Sequence, residues 1–477
     1  MSHNRNLLSL VISATVVLQM SGCGGPGSSG ASTPPSSTPT APPSITHNLW
    51  TWVSGANFIN QPGTYGTQGV PAAANTPGAR EGALTWTDAS GNFWMFGGIS
   101  QPTAASDSYL NDIWKYSNGQ WTWIGGSSSY NQSGVYGTLG TPDLNDTPGA
   151  RAYAVRWKDT AGNLWLFGGL GLDADGRSEE LNDLWRYGAG EWTWIGGPEV
   201  AIQGQPGVYG VQGAAAPGNI PGGRSDAASW IDAAGNFWLF GGMGYDSIGT
   251  LGYLNDLWKY SGGEWTWMGG SNLAGDAGSY GTLGIPSATN LPHGRSDAAT
   301  WIDPDGAFWL FGGEVNQVGK EYALNDMWRY SEGQWTWMGG SNQVDQPATY
   351  GAKGVAAAGN IPGARSQAIS WTDAAGNFWL FGGFGIAPTT ECRFPADLWK
   401  YSAGEWTWVD GPEDMDCSLT SGEYGTLGLE APGNLPGSRL SGAGWTDGSG
   451  NLWLFGGNGV GATSPQGYLN DFWQYEP

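Results

Sequence analysis

The tripeptide Trp-Thr-Trp begins at Trp50, Trp121, Trp192, Trp265, Trp335 and Trp406, at intervals of 70 to 73 residues. A fixed period of this length constrains the fold before any motif does, because each unit must bury its apolar face against the next. Every period carries the same phrases. In "RSDAASWIDAAGNFWLFGG" (Arg224 to Gly242), the stretch Asp232 to Asn236 reads as a turn between two strands. "LNDLWKY" follows as a third strand and, after a glycine turn, "EWTWMGG" as a fourth. Thr separates the two Trp residues of the fourth strand, so both indoles are expected on one face. Four antiparallel strands repeated six times are too many for one open sheet. Stacking four-stranded blades radially buries the aromatic faces and disposes of the edges. Six FGG copies count the blades: Gly97-Gly98, Gly168-Gly169, Gly241-Gly242, Gly312-Gly313, Gly382-Gly383 and Gly456-Gly457.

The ends say how such a ring closes. "NLWTWVSG" (Asn48 to Gly55) is a lone fourth strand, and "LNDFWQYEP" (Leu469 to Pro477) is a third strand with no fourth behind it. The N-terminal strand is therefore expected to complete the last blade.

A double glycine after the second strand, an aromatic near the third and a Trp in the fourth resemble the Kelch repeat, over residues 49 to 477. The resemblance implies an all-β fold: a six-bladed Kelch-type β-propeller of four-stranded antiparallel blades, closed by the N-terminal strand. These periods exceed the roughly 50 residues usual for Kelch, and the excess lies in the connections between blades, such as Ser127 to Gly149. Each connection carries "YGxxG" (Tyr65, Tyr136, Tyr209, Tyr280, Tyr350, Tyr424). A feature present in every blade serves the repeat, so these tyrosines read as structural.

The 83 glycines of the 477-residue chain fit turns between many short strands, and 30 Trp residues exclude a disordered chain. A net charge of -23 argues against nucleic acid as a partner and against docking on anionic lipid. Residues 1 to 22 read as an export signal: Arg5, the apolar run "LLSLVISATVVLQM" (Leu7 to Met20), then Ser21 and Gly22 before Cys23. This segment resembles a bacterial lipoprotein signal, which implies lipid on Cys23 and a periplasmic or cell-surface location. Residues 23 to 45, rich in Gly, Ser, Thr and Pro, read as a tether, and 46 to 477 as the propeller, expected to be a monomer. In an antiparallel blade, second-to-third loops share a face with the blade connections, which puts Cys392 and Cys417 on one side as a candidate disulfide.

Arg80, Arg151, Arg224, Arg295, Arg365 and Arg439 are expected to begin each first strand, which the Kelch resemblance makes innermost, so that they ring the channel mouth. Asp112, Asp183, Asp256, Asp326, Asp397 and Asp471 supply a matching set of acids, which reads as structural pairing. Specificity needs asymmetry, and the residues just after each Arg differ: Glu81, Tyr153, Asp226, Asp297, Gln367 and Ser441. With Glu314 in a variable second-to-third loop, these are the candidate ligand contacts. Asp173, Asp175, Glu179 and Glu180 are a candidate calcium cluster without the twelve-residue calcium-loop spacing.

No other cofactor is expected. Copper is not expected either: galactose oxidase, also a Kelch-type propeller, needs two His and a Tyr crosslinked to Cys. Here only His47 and His293 accompany the propeller. The reading is a membrane-anchored module that binds a protein or a glycan, without catalysis. The alternative is a carbohydrate-active enzyme resembling sialic-acid mutarotases, which would use Arg224, Asp226, Arg295, Asp297 and Glu314.

Overall fold

Each blade is built outward from an aspartate that ties a turn. Asp232 Oδ1 accepts the N–H groups of Ala234 and Asn236, and Oδ2 accepts the Asn236 amide and the Trp238 indole. That knot reverses the chain between strands Ala228–Ile231 and Phe237–Tyr245. Strands Leu251–Ser261 and Glu264–Gly269 then complete an antiparallel sheet in chain order. The computed structural model describes residues 48–101, 108–202, 204–317, 319–385, 394–413, 419–463 and 465–477. The signal, Cys23, the tether and the pair Cys392–Cys417 lie outside the described residues.

The described residues contain no helix, and six four-stranded antiparallel blades form a β-propeller. First strands are Leu84–Thr87, Val155–Lys158, Ala228–Ile231, Ala299–Ile302, Ile369–Thr372 and Ala443–Thr446, in blades one to six. Each packs against the first strands of both neighbouring blades, so the six encircle the axis. Closure follows the sequence reading: Leu49–Ser54 pairs antiparallel with the last strand, Gln466–Glu476, matching Leu49 with Glu476 and Trp52 with Trp473.

The core lies between blades. One cluster joins Val155, Trp157, Phe167 and Leu184 of blade two to Phe237, Leu239, Trp258 and Trp265 of blade three, with Trp267 against it. Both indoles of that Trp-Thr-Trp thus serve one interface. Trp157 stacks on Phe237 with centroids 5.2 Å apart, and the same pairing joins Trp230 to Phe308 and Trp301 to Phe378. Offset stacking adds about 0.5–1.5 kcal/mol per pair to the burial of these large rings.

The double glycine sits where the backbone of one blade meets that of the next. Gly241 and Gly242 follow a register shift and have φ of 66° and 98°. A Cβ on Gly241 would stand 2.6 Å from the Leu254 carbonyl oxygen and 2.8 Å from that of Arg295 in the next blade. The Gly242 N–H donates to that same Arg295 carbonyl.

Two features depart from the sequence reading. The arginines do not begin a continuous first strand. Arg151–Ala152 is a separate two-residue strand paired with Leu170 and Gly171, and Val155–Lys158 begins only after Tyr153, whose φ of 58° bends the chain. The long connections are edge covers. Gly69, Gly140, Gly213, Gly284, Gly354 and Gly428 each donate an N–H to the carbonyl of the second Trp of an outer strand. The fourth strand would otherwise offer unpaired backbone to any extended chain.

Candidate functional site

The six arginines are consumed where they stand. Arg224 donates to both Asp256 oxygens at 2.7 and 2.9 Å, to the Gly241 carbonyl at 2.9 Å and, through Nε, to the Gly222 carbonyl at 3.0 Å. The Tyr209 hydroxyl and Trp258 indole add donors to Asp256 Oδ2 at 2.6 and 2.7 Å. Arg80, Arg151, Arg295, Arg365 and Arg439 make the same bidentate pairs with Asp112, Asp183, Asp326, Asp397 and Asp471. At Arg80, Arg151, Arg224, Arg295 and Arg439 burial works against the charge, and the facing carboxylate with its hydrogen bonds outweighs it, holding the guanidinium pKa above its usual value. None of the six is more than 3% exposed, so they line no channel mouth. The guanidinium lies within its own blade, where it ties the third strand to the second, while its backbone carries the contact to the preceding blade.

The residue two places after each arginine does reach the axis. Tyr153, Asp226, Asp297, Gln367 and Ser441 have φ between 50° and 58°, and Gly82 has 63°. Their backbones form a closed cycle: the Tyr153 N–H donates to Gly82, Asp226 to Tyr153, Asp297 to Asp226, Gln367 to Asp297, Ser441 to Gln367 and Gly82 to Ser441, at 2.9 to 3.1 Å. Six hydrogen bonds, one per blade, thus run around the centre of the ring. Glu81 is one register out from the other candidates, since Gly82 is the true equivalent of Tyr153. It still joins the same site, because the Tyr153 hydroxyl donates to its Oε1 at 2.8 Å.

Glu314 enters from the second strand of blade four. It exchanges both backbone hydrogen bonds with Ser296, next to Asp297, and its Oε1 accepts the Tyr253 hydroxyl. Burial first, and then the Glu314 charge, push the Tyr253 pKa far up, as burial and Glu81 do for Tyr153. Both phenols are therefore firm donors to carboxylates. The cycle lies beside the ends of the second strands, on the face of the second-to-third loops. There the structure brings together Glu81, Tyr153, Asp226, Asp297, Gln367, Ser441 and Glu314. Tyr253 was not among the sequence candidates, and Glu180, whose carboxylate accepts the Ser225 hydroxyl at 3.3 Å, was read there only as a calcium candidate. Their signal was the residue before each third-strand "LN", which reads Tyr109, Glu180, Tyr253, Ala323 and Tyr468.

No protein-family model matches the chain, and no curated protein does. Solved structures match its course. YjhT is 13% identical over 86% of this chain and 95% of its own, with a TM-score of 0.47. A novel fungal alcohol oxidase of the AA5 family, in complex with copper, is 13% identical over 87% of this chain and 77% of its own, with a TM-score of 0.44. At this level of likeness neither bears on the chemistry of the axial site.

The calcium candidates are not brought together as a cation site. Asp173 is fully buried and holds its own loop, Oδ1 accepting the N–H groups of Asp175 and Arg177, and Oδ2 that of Ala201. Asp175 pairs with Arg177 at the surface, and Glu179 and Glu180 alternate across a strand. Among the described residues no group of three or more His, Cys, Asp or Glu is placed to hold a metal ion. His293, two residues before Arg295, is buried with its Nδ1 2.8 Å from the Gly294 carbonyl oxygen.

Proposed function

We propose that this chain is an exported, lipid-anchored binding module that holds a protein or glycan ligand at the axial face of its propeller. One observation carries the reading. A backbone cycle that needs positive φ at six places is most cheaply built from glycine, as Gly82 does it. Five places instead keep side chains at about 1–2 kcal/mol of backbone strain each, and these are of four kinds: Tyr, Asp (twice), Gln and Ser. The fold does not require them, and recognition would. Carboxylates, phenols, an amide and a hydroxyl around one axis suit the hydroxyls of a glycan or a basic protein segment.

The six buried arginines weigh against the alternative, an enzyme of mutarotase type, because each already spends its fork on an aspartate. The full chain, screened against glycans and protein segments, should yield a ligand whose binding falls at least tenfold in Asp297→Ala and Gln367→Gly. The glycine variant should melt no lower than the parent. A ligand bound equally well by both variants would place recognition elsewhere. Cys23→Ala should release the protein from membranes, and unchanged retention would remove the lipid anchor from the reading.

A further inference from the structure

Below the axial face, one blade departs from the other five. The residue before the first-strand Trp is Thr85, Ser229, Thr300, Ser370 and Gly444 in five blades and Arg156 in blade two. Small side chains suit the wedge between neighbouring first strands. A Cβ on Gly444 would lie 2.9 Å from Trp371 Nε1 and 3.0 Å from Ile369 Cγ2. Thr85 and Ser229 turn their hydroxyls back onto the adjacent first strand, donating to the carbonyls of Gly444 at 3.0 Å and Arg156 at 3.2 Å. A guanidinium has no room in that wedge, and the Arg156 side chain is exposed, which directs it into the open channel.

The electrostatics there invert those of the whole molecule. The chain carries -23 overall, yet its six first strands contain no Asp or Glu, and their charges are Arg156 and Lys158. Lys158 lies about 7 Å further along the same strand face, and its Nζ donates to the Thr87 carbonyl at 2.8 Å. The Arg156 guanidinium makes no hydrogen bond or ion pair with any described residue. The surrounding protein strips enough water from it to push its pKa down to about 10, with no carboxylate to restore it. An exposed guanidinium without a carboxylate partner, set in a protein-walled channel, is free to receive an anion. Its planar fork matches two oxygens of one anionic group, and low-dielectric walls focus its field.

We propose that Arg156, with Lys158 beside it, forms an oxyanion-binding site inside the central channel, for a carboxylate, phosphate or sulfate group. The proposal stands independently of the axial-face reading, whose ligand screen does not involve Arg156. The test titrates the full chain with sodium acetate, phosphate and sulfate, at an ionic strength held constant with chloride, and follows the melting temperature and the heat of binding. At least one anion should bind saturably, and which one responds tells a carboxylate site from a phosphate or sulfate site. Arg156→Ser installs the residue that blades three and five already use, so it should fold normally and bind at least tenfold more weakly. Arg156→Lys should retain part of the affinity. No saturable response to any of the three anions, or equal binding by the Arg156→Ser variant, would overturn the site.

Discussion

One atom separates Asp146 from its counterparts. Asn75, Asn219, Asn290, Asn360 and Asn434 each donate from Nδ2 to two carbonyls, one of them on the first Trp of an outer strand. Asp146 has no such donor. Its Oδ2 is buried without a partner, and its Oδ1 instead takes the N–H of Gly137, whose φ is not positive like those of Gly66 and Gly210. Burial, and then the Asp143 charge, raise the Asp146 pKa. The folded protein therefore holds that proton more tightly than the unfolded chain does. The wild type is unpenalised below the unfolded carboxyl pKa of about 3.9 and loses stability as pH rises from there to the folded value. Asp146→Asn should stabilise the protein by about 1–3 kcal/mol at neutral pH, and by progressively less as pH falls from the folded value towards 4. Denaturant melts across pH would show it, and an advantage independent of pH would contradict the assignment. The Arg–Asp clamp was legible at this scale because both partners recur with every blade. Arg224→Ala leaves Asp256 buried and unpaired, at a cost of about 3–5 kcal/mol readable in the same melts.

At the scale of elements, the six FGG copies marked the ends of second strands, but the reason for two glycines is tertiary. The collision that a Cβ on Gly241 would meet comes from two backbones, one of them in the next blade. Gly262, in a hairpin turn with φ of 61°, meets nothing within 4 Å. Gly241→Ala should therefore cost about 3 kcal/mol or more, and Gly262→Ala about 1, a contrast that thermal melts of the two variants would test. Similar losses would mean that conformation alone, and not the approach of blades, dictates the glycine. The length of the connections was equally plain in the sequence, and their destination was not. Covering an outer strand depends on backbone groups such as the Gly69 N–H and the Trp123 carbonyl, which carry no side-chain signature.

The propeller is a closed ring, stitched twice. Leu49–Ser54 supplies the outer strand of the last blade, with Trp50 fully buried against Phe381, Trp473 and Tyr475. The cycle of backbone hydrogen bonds joins the blades again at the axis. Removing residues 48–54 would expose the edge of Phe472–Glu476 and part of the apolar cluster between blades five and six. The shortened chain should lose its single cooperative transition and aggregate, as melting and light scattering would show. An unchanged melting temperature would refute closure by this strand.

What the sequence determined by itself was whatever repeats. Strand order, blade number, the closing strand and the pairing of Arg with Asp each appear six times or at the two ends, and periodicity reports them without knowledge of space. Tertiary structure decided what depends on one copy meeting another. Glu81 and Gly82 are adjacent letters, and only the cycle of hydrogen bonds shows which of them is the equivalent of Tyr153. Arg156 is a single charge on one strand in the sequence, and only the ring sets it among six first strands. A site on the axis of a ring takes one residue from each blade, about 70 positions apart, so no local pattern announces it.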